Sequence, residues 1–302
     1  MIWSYPSLMQ HARIISIRII LVSILALQFA TVSYTNCQSD LTGNSCLIEI
    51  PEIHELVFVV YALATLEDTS SNTIQRESDY YKEVIQTFGS FRNEKAVKKL
   101  AGAMRSGYDP LRMDACLYSL NDQNEIRKSK TINNLSWGNK NTLRKFLPAL
   151  EAFALKSNFK KFYNDHLAYY KSQIDLLRIQ GQPESQWRWL TQKFNVDYAS
   201  VTIVFSPLSY AQHSTNRIKD GHIEHIYIFV SGPFQFEDKI KTEQVQPQIC
   251  RMLFTELDHN FVNPLSEKYK EKIEVVFRYT RNFGDIKKHL DIPNHWQCST
   301  NT

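Results

Sequence analysis

The order of secondary-structure patterns along the chain is the feature that most constrains its fold. Helical spacing of apolar and aromatic residues covers most of the sequence up to Asn195, including the aromatic-rich region 142–195. Two segments after Asn195, residues 200–208 and 222–231, are rich in β-branched and aromatic residues and predict strands. Helical patterns then resume near Glu243. Because helices and strands are segregated along the chain, we expect an α+β fold and not a parallel α/β fold.

The helical regions carry recognisable start and stop signals. Residues 51–68 begin with a proline and early acidic residues and continue as an apolar run, which predicts a buried helix. Further helices are expected over 77–91 and 94–104, the segment 113–120 is ambiguous, and a polar surface excursion is expected from the turn at Asn121-Asp122 up to Asn141. A polar loop is expected over 209–221, between the two strands. The last helical region is expected to break at Asn263-Pro264 and to resume over 266–279.

The amino terminus has the layout of a secretory signal peptide. Arg13 and Arg18 precede an uncharged apolar run over 19–30, which small and polar residues follow. The run is shorter than the roughly 20 apolar residues that a membrane span needs. We therefore expect a signal peptide over 1–36, one domain over 37–302 with no membrane span, and a secreted, periplasmic or cell-envelope location.

Charge and cysteine usage exclude some functional classes. The formal net charge of +4 is small and spread along the chain, so no nucleic-acid partner is expected. None of the five cysteines forms a C-x-x-C pair or has the spacing of a zinc module. Cys37 and Cys46 are near enough in sequence to bridge in an oxidising compartment, whereas Cys116, Cys250 and Cys298 are equally well explained as buried or free thiols.

Polar residues concentrate in one apolar helical segment, 254–264. Glu256 and His259 are three residues apart and share one helix face, beside an apolar stripe that would seat the helix on the core. The closest mechanistic pattern is H-E-x-x-H, in which two histidines bind zinc and the glutamate activates water. Here Thr255 stands at the first histidine position, and threonine is a poor zinc ligand.

Either of two other ligands would complete a metal site of this kind. Glu256 itself would be a ligand with His259, as in the Glu-x-x-His spacing of metal-binding helical bundles, or His213 would be recruited from the loop between the strands. The expected cofactor is zinc or another divalent metal. The alternative is that Glu256, Asp258 and His259 form a solvated helix face with no ligand.

Four segments resemble a group of uncharacterised exported bacterial proteins, the domain of unknown function 4932 family. These segments are FTELDHNFVNP over 254–264, IVFSPLSYAQHSTNR over 203–217, FVSGP over 229–233 and ESDYYKEV over 77–84. The resemblance implies a zincin-like fold, helix-rich, with a small antiparallel or mixed sheet beside the active-site helix. It also implies that Glu256 is the general base and His259 a metal ligand.

The resemblance also sets expectations for the rest of the site. We expect Arg217, Asp258 and Asn263 to contact the substrate. A zincin takes a third ligand from a downstream helix, and the candidates that follow His259 before Thr302 are Glu267, Glu271, Glu274, His289 and His295. We expect that the domain is truncated at its C-terminus, that His213 supplies the third ligand instead, or that the site has been lost. The expected function is an exported metal-dependent hydrolase acting on a peptide or protein. The alternatives are a non-catalytic relative that binds a peptide or glycan in the same cleft, and a structural envelope protein.

Overall fold

A computed structural model describes residues 45–68, 73–137, 141–196, 198–233 and 242–274. These residues lie in one compact unit that begins at Asn44. The expected signal peptide, the possible downstream ligands His289 and His295, and the cysteines Cys37 and Cys298 lie outside the described residues, whereas Glu267, Glu271 and Glu274 lie within them. None of the helices in the described part has the length and apolar character needed to cross a membrane.

The chain folds as α+β, as the segregated patterns predicted. A strand and three helices come first: β1 (Ser45–Glu49), α1 (Glu52–Ala64), α2 (Asp79–Phe88) and α3 (Lys95–Ala115). A short hairpin of β2 (Tyr118–Leu120) and β3 (Ile126–Lys128) leads to α4 (Leu147–Ser157), α5 (Phe159–Asp165), α6 (Leu167–Gly181) and α7 (Pro183–Phe194). The last elements are β4 (Ser200–Val204), β5 (Ser214–Asp220), β6 (Ile223–Phe229) and α8 (Thr242–Lys268).

The main sheet is mixed, with strand order β1-β4-β6-β5. β1, β4 and β6 run parallel, and β5 pairs antiparallel with β6 as the edge strand. The sequence-based expectation of a loop over 209–221 was therefore wrong for its second half. β5 is polar because only Ser214 and Ile218 are buried in it, so it lacks the apolar alternation by which strands are recognised.

Helices cover both faces of the sheet. α1 and α3 pack on one face, where the rings of His54 and Phe229 lie 6.2 Å apart. α8 packs on the other face, where the Asn260 side chain donates to the Thr215 hydroxyl at 2.8 Å. Ser214 pairs with Phe229, and successive residues of a strand point to opposite faces, so these two contacts identify opposite sides of the same β5–β6 ladder.

α8 continues through Asn263-Pro264, where the sequence predicted a break. A proline inside a helix removes the N–H that would bond to the carbonyl four residues earlier, here that of Asn260. The Tyr198 hydroxyl donates to this carbonyl at 2.6 Å and takes the place of the missing bond. The helix is therefore continuous over Thr242–Lys268 because a residue from outside the helix satisfies the group that Pro264 leaves unpaired.

Close contacts with α6 and α7 fix the position of α8. Gly181 ends α6 so near to α8 that a Cβ atom there would lie 2.2 Å from a methyl carbon of Leu253. The Gln186 amide of α7 donates to the Gly181 carbonyl at 2.7 Å and to the Cys250 carbonyl at 2.9 Å. These contacts hold α8 against the helical layer on one side, while Asn260 holds it against β5 on the other.

Candidate functional site

Glu256 lies on the face of α8 that turns towards the sheet. The residue is 8% exposed, and Asn260, one turn later, is 3% exposed. Asn260 bonds to Thr215 of β5 and to the Glu256 carbonyl, so this face of the helix is tied to the edge strand. Burial raises the pKa of the Glu256 carboxyl; the nearby His259 and Arg112 lower it, and Asp258 and Asp109 raise it further. Glu256 is thus a desolvated carboxyl at the contact between α8 and β5.

His259 lies on the more open side of the same helix. Its side chain is 42% exposed, and its Nδ1 lies 3.9 Å from a carboxylate oxygen of Asp258. Burial raises the pKa of Asp258, and His259 opposes that shift. Thr255, at the position of the missing histidine, is exposed and donates its hydroxyl to the Arg251 carbonyl of its own helix. The Thr255 hydroxyl is therefore already engaged within α8.

His213 immediately precedes β5 and is fixed by Ser231. Its Nδ1 accepts from the Ser231 backbone N–H at 3.4 Å, while the Ser231 hydroxyl accepts from the backbone N–H of Gln212 at 3.1 Å. His213 keeps an exposed edge, yet the protein atoms around the ring exclude enough water to lower its pKa to about 4, with the Arg112 charge acting in the same direction. The imidazole is neutral at pH 7, and its Nδ1 is already engaged.

Arg112 of α3 connects these residues and was missed by sequence reasoning. Its side chain is 1% exposed and forms an ion pair with Asp109 at 2.6 Å. It also donates to the Ser214 hydroxyl at 2.7 Å and to the Gln212 carbonyl at 3.3 Å, and its guanidinium carbon lies 5.6 Å from the centre of the Phe229 ring. A charged residue between the apolar Leu111 and Met113 was the only available sequence signal.

The Arg112 charge reaches the groups on both sides of the start of β5. Burial is the larger cause of the pKa shift at Glu256, His213 and His54, and the Arg112 charge acts at all three to lower the pKa. It does so because a cation favours ionised carboxylates and neutral imidazoles; at the two histidines it adds to the effect of burial, whereas at Glu256 it opposes burial, which raises the pKa. Arg112 therefore contributes to the electrostatics of the region for which the sequence predicted a metal.

The described residues do not by themselves fit a metal ion. Nowhere in the described part of the chain do three histidine, cysteine, aspartate or glutamate side chains come close enough to hold one. Zinc in a catalytic site needs three protein ligands. Glu256, His259 and His213, the three predicted ligands, are not brought into such a group, and the expected downstream ligands His289 and His295 lie outside the described residues.

The predicted substrate-binding residues lie at separate places. Asp258 is beside His259 on α8. Asn263 borders a cavity of about 370 Å³ at the carboxyl end of α8, together with Ser266 and Lys270. Arg217 borders a larger groove of about 470 Å³ between β5 and the segment 131–137. The structure therefore associates Arg217 with the edge strand and Asn263 with the end of the helix.

The groove beside β5 is polar with one aromatic wall. Asn216, Ile218 and Asp220 line it from β5, and Ile132, Asn133 and Trp137 line it from the opposite segment. Trp137 is 51% exposed, whereas Ile218 is 9% exposed. The Asn216 amide donates across the base of the groove to the Leu135 carbonyl at 2.6 Å. Nothing in the sequence indicated this groove, because both of its walls were expected to be loops.

Two further histidines of the described part, His225 and His166, make contacts typical of structural residues. His225 bonds through Nδ1 with the Ser200 hydroxyl at 2.8 Å, between neighbouring strands. His166 bonds through Nδ1 with the Phe162 carbonyl at 2.7 Å, and its Nε2 lies 3.1 Å from a Glu83 carboxylate oxygen. Among the described residues, Cys46, Cys116 and Cys250 form no disulfide with one another.

Comparison with known proteins adds no relative to this picture. No family model matches the sequence, and neither the curated proteins nor the solved structures contain a match. The likeness to the domain of unknown function 4932 family therefore rests on the four segments quoted above. What can be said of function comes from the geometry of β5, α8 and the residues between them.

Proposed function

We propose that this protein binds an extended peptide segment of a partner along the outer edge of β5. The observation that carries the proposal is the position of the groove. β5 is the last strand of the main sheet, and the groove of about 470 Å³ runs along the side of β5 that no strand of that sheet covers. A peptide lying there would add a strand to the sheet, a common mode of peptide recognition.

The backbone of β5 is suited to such an addition. Within the described residues β5 is paired with β6 alone, and no backbone hydrogen bond joins it to the segment 131–137. In an antiparallel pair, every second residue of an edge strand directs its N–H and C=O away from its partner. These outward groups provide the main-chain bonds that give strand addition most of its affinity.

The opposite wall of the groove is held in place by a buried carboxylate. Asp114 of α3 is fully buried and accepts from the backbone N–H groups of Leu135, Ser136 and Thr142 at 2.8 to 3.0 Å. It also accepts from the Ser136 hydroxyl at 2.8 Å. A preformed wall spares the peptide the entropic cost of ordering a loop when it binds.

The proposed peptide site lies beside the polar residues of α8. Thr215 of β5 is tied to Asn260, and Ser214, at the start of the strand, is tied to Arg112. A peptide paired with β5 would direct alternate side chains towards the α8 face of the sheet. The proposal therefore agrees with one alternative from the sequence, an exported, non-catalytic relative that binds a peptide in the cleft where a zincin-like hydrolase would bind its substrate.

Backbone methylation gives the sharpest test of strand addition. A fluorescein-labelled heptapeptide of alternating valine and polar residues would be titrated in two isomers, each N-methylated at alternate residues on one edge only. We expect one isomer to lose binding by about tenfold or more and the other to bind as the parent does, because only one edge of an added strand contacts β5. Equal binding of both isomers, or no binding of the parent peptide, would contradict the proposal.

Metal-dependent hydrolysis of the bound peptide is the second candidate function. It is favoured by the buried carboxyl of Glu256, three residues before the half-exposed His259 on the helix beside β5. Because the described residues bring no three ligands together, no catalytic step is assigned to a metal here. The cofactor proposed for this candidate is zinc or another divalent metal, and it can be tested separately.

Metal analysis of the purified protein tests this second candidate. If it is correct, zinc or another divalent metal copurifies and raises the melting temperature, because a ligand that binds only the folded state stabilises that state. The effect should be lost in His259→Ala and kept in His222→Ala, a matched change of an exposed histidine in the turn of the β5–β6 hairpin. No copurifying metal, together with no thermal shift on adding zinc, would eliminate this candidate.

A further inference from the structure

We propose that the peptide bound along β5 alternates acidic and apolar side chains, with an acidic residue opposite Arg217. This inference rests on the proposed strand addition and adds to it the chemical class of the partner segment. Its basis is that the two faces of β5 differ in character. One face presents exposed cations, and the other meets Ile132 and Trp137 across the groove.

Arg217 is an exposed cation near the middle of the edge strand. It shares a face with Thr215 and Lys219, since side chains on one face recur every second residue. Lys219 lies 3.2 Å from Glu224 of β6, whereas the β6 residue opposite Arg217 is the buried Ile226. In the described part of the chain no hydrogen bond or ion pair engages the Arg217 guanidinium.

An added strand would place one of its side chains directly opposite Arg217. Such cross-strand neighbours have Cβ atoms roughly 4.5 to 5.5 Å apart, and opposite charges at these positions are favourable. A glutamate or aspartate there would be within reach of the planar guanidinium, which binds carboxylates through two parallel hydrogen bonds. The next residue of the peptide on the same face would lie near Lys219.

The other face of β5 favours apolar side chains. Asn216, Ile218 and Asp220 point to this side, and Ile218 is almost fully buried. Across the groove lie the partly buried Ile132 and the half-exposed Trp137. A peptide residue between the acidic positions would rest against these side chains and remove apolar surface from water. Pockets for alternate side chains are what gives strand addition its specificity.

The same charges disfavour a second copy of this chain as the occupant. If two β5 edges paired with each other, Arg217 and Lys219 of one chain would approach the cations of the other in the central registers. Like charges directly opposite each other across strands are destabilising. An acidic partner segment removes this repulsion, so the charge pattern selects it over self-association.

Charge reversal on both sides of the contact tests the inference. Two labelled heptapeptides, Thr-Val-Glu-Val-Glu-Val-Thr and Thr-Val-Lys-Val-Lys-Val-Thr, would be titrated at low ionic strength, where exposed charges are least screened. We expect the glutamate peptide to bind about tenfold or more tightly than the lysine peptide. Arg217→Glu should reverse this preference, whereas Arg188→Glu, the same change at an exposed position of α7, should preserve it.

A separate experiment tests the apolar positions of the peptide. Replacing the valines of the glutamate peptide by asparagine should weaken binding about tenfold, and Trp137→Ala, at a half-exposed position, should remove part of that difference. Equal affinity for both charged peptides, with sensitivity to backbone methylation, would overturn the charge selection while strand addition stands. No binding of either peptide would overturn strand addition itself.

Discussion

Histidine and glutamate occur together in two places in this protein, with opposite environments. His54 and Glu55 lie side by side in α1 and are 1% and 0% exposed. Glu256 and His259 lie three residues apart in α8, and the His259 side chain is 42% exposed. The first, sealed pair lies wholly in the core, whereas the second, open pair exposes His259 although Glu256 is only 8% exposed. Only the second pair presents a side chain that can meet a ligand without opening the fold.

Glu55 of the sealed pair belongs to a network of buried hydroxyl groups. The Tyr80 hydroxyl donates to Glu55 at 2.9 Å and lies 2.7 Å from the Tyr170 hydroxyl. Burial raises the pKa of Glu55 to about 7, although hydrogen bonds from Ser206 and Tyr80 oppose the shift. Burial lowers the pKa of His54 well below its usual range, and neither of its ring nitrogens has a hydrogen-bond partner in the described part of the chain.

Arg112 is the group that the two regions share, so removing it should have the largest effect. Arg112→Met leaves Asp109 and Ser214 without their buried partner. Breaking a fully buried ion pair from one side costs about 3 to 5 kcal/mol of unfolding free energy, and the loss here should lie at the lower end of that range because the Asp109 side chain is 33% exposed. Urea denaturation should show a loss of this size, while Arg188→Met, at an exposed position, should stay within about 0.5 kcal/mol of the wild type. A loss below about 1 kcal/mol for Arg112→Met would mean that the two regions are not coupled in this way.

Glu55→Gln should change how stability depends on pH. The folded-state pKa of about 7 lies above the ordinary value of 4.5, so the folded protein holds this proton more tightly than the unfolded chain does. The resulting stabilisation is fully present below pH 4.5 and is lost as the pH rises through 7, a change of about 3 kcal/mol. The glutamine side chain cannot titrate, so the variant should lack this decline.

Denaturation curves collected between pH 4 and 8 would measure the difference. Glu67→Gln, at an exposed position just after α1, is the matched control and should follow the wild-type curve. If Glu55→Gln also follows the wild-type curve, Glu55 is ionised in the core throughout this range, and the sealed pair is a charged site after all.

His54→Leu should stabilise the protein by about 1 to 2 kcal/mol. The substitution removes two buried ring nitrogens that lack hydrogen-bond partners among the described residues and replaces them with an apolar side chain of similar size. His259→Leu, in the open pair, should stay within about 0.5 kcal/mol of the wild type. Thermal denaturation of both variants gives the comparison. A loss of more than about 1 kcal/mol in His54→Leu would show that the imidazole makes a bond on which the core depends.

The smallest effects are expected in the open pair, on the titration of Glu256. His259 lowers the pKa of Glu256 and Asp258 raises it. His259→Ala should therefore raise the pKa of Glu256, and Asp258→Asn should lower it, with little change in stability for either variant. Carbon-13 NMR titration of the Glu256 carboxyl would detect both shifts. Shifts of the same sign in the two variants would contradict the arrangement of charges around α8.

The sequence predicted the apolar parts of the fold better than its polar parts. The buried α1, the helices of 142–195 and the apolar strands β4 and β6 were found because burial imposes periodicity on apolar residues. β5 was mistaken for a loop because an edge strand with two buried residues has no such period. The break expected at Pro264 was wrong because the compensating hydroxyl comes from Tyr198, more than sixty residues earlier in the chain.

The residues of the candidate site were also predicted only in part. Glu256 and His259 were found because three-residue spacing places them on one helix face. Arg112 and Asp114 were missed because the partners that place them beside β5 are more than twenty residues away in sequence, Ser214 at the start of β5 and Leu135 in the segment 131–137. Without knowledge of which elements meet, nothing marks these two residues as the ones that organise the edge of β5.

Amide hydrogen exchange along β5 tests the central claim most directly. The protein would be compared with and without the alternating glutamate peptide at saturation. We expect protection to rise at alternate residues of Ser214–Asp220, those whose N–H groups point away from β6, since an added strand bonds only to them. Peptide binding that leaves the β5 amides unchanged, with protection confined to α8 or to the surface of α7, would contradict strand addition.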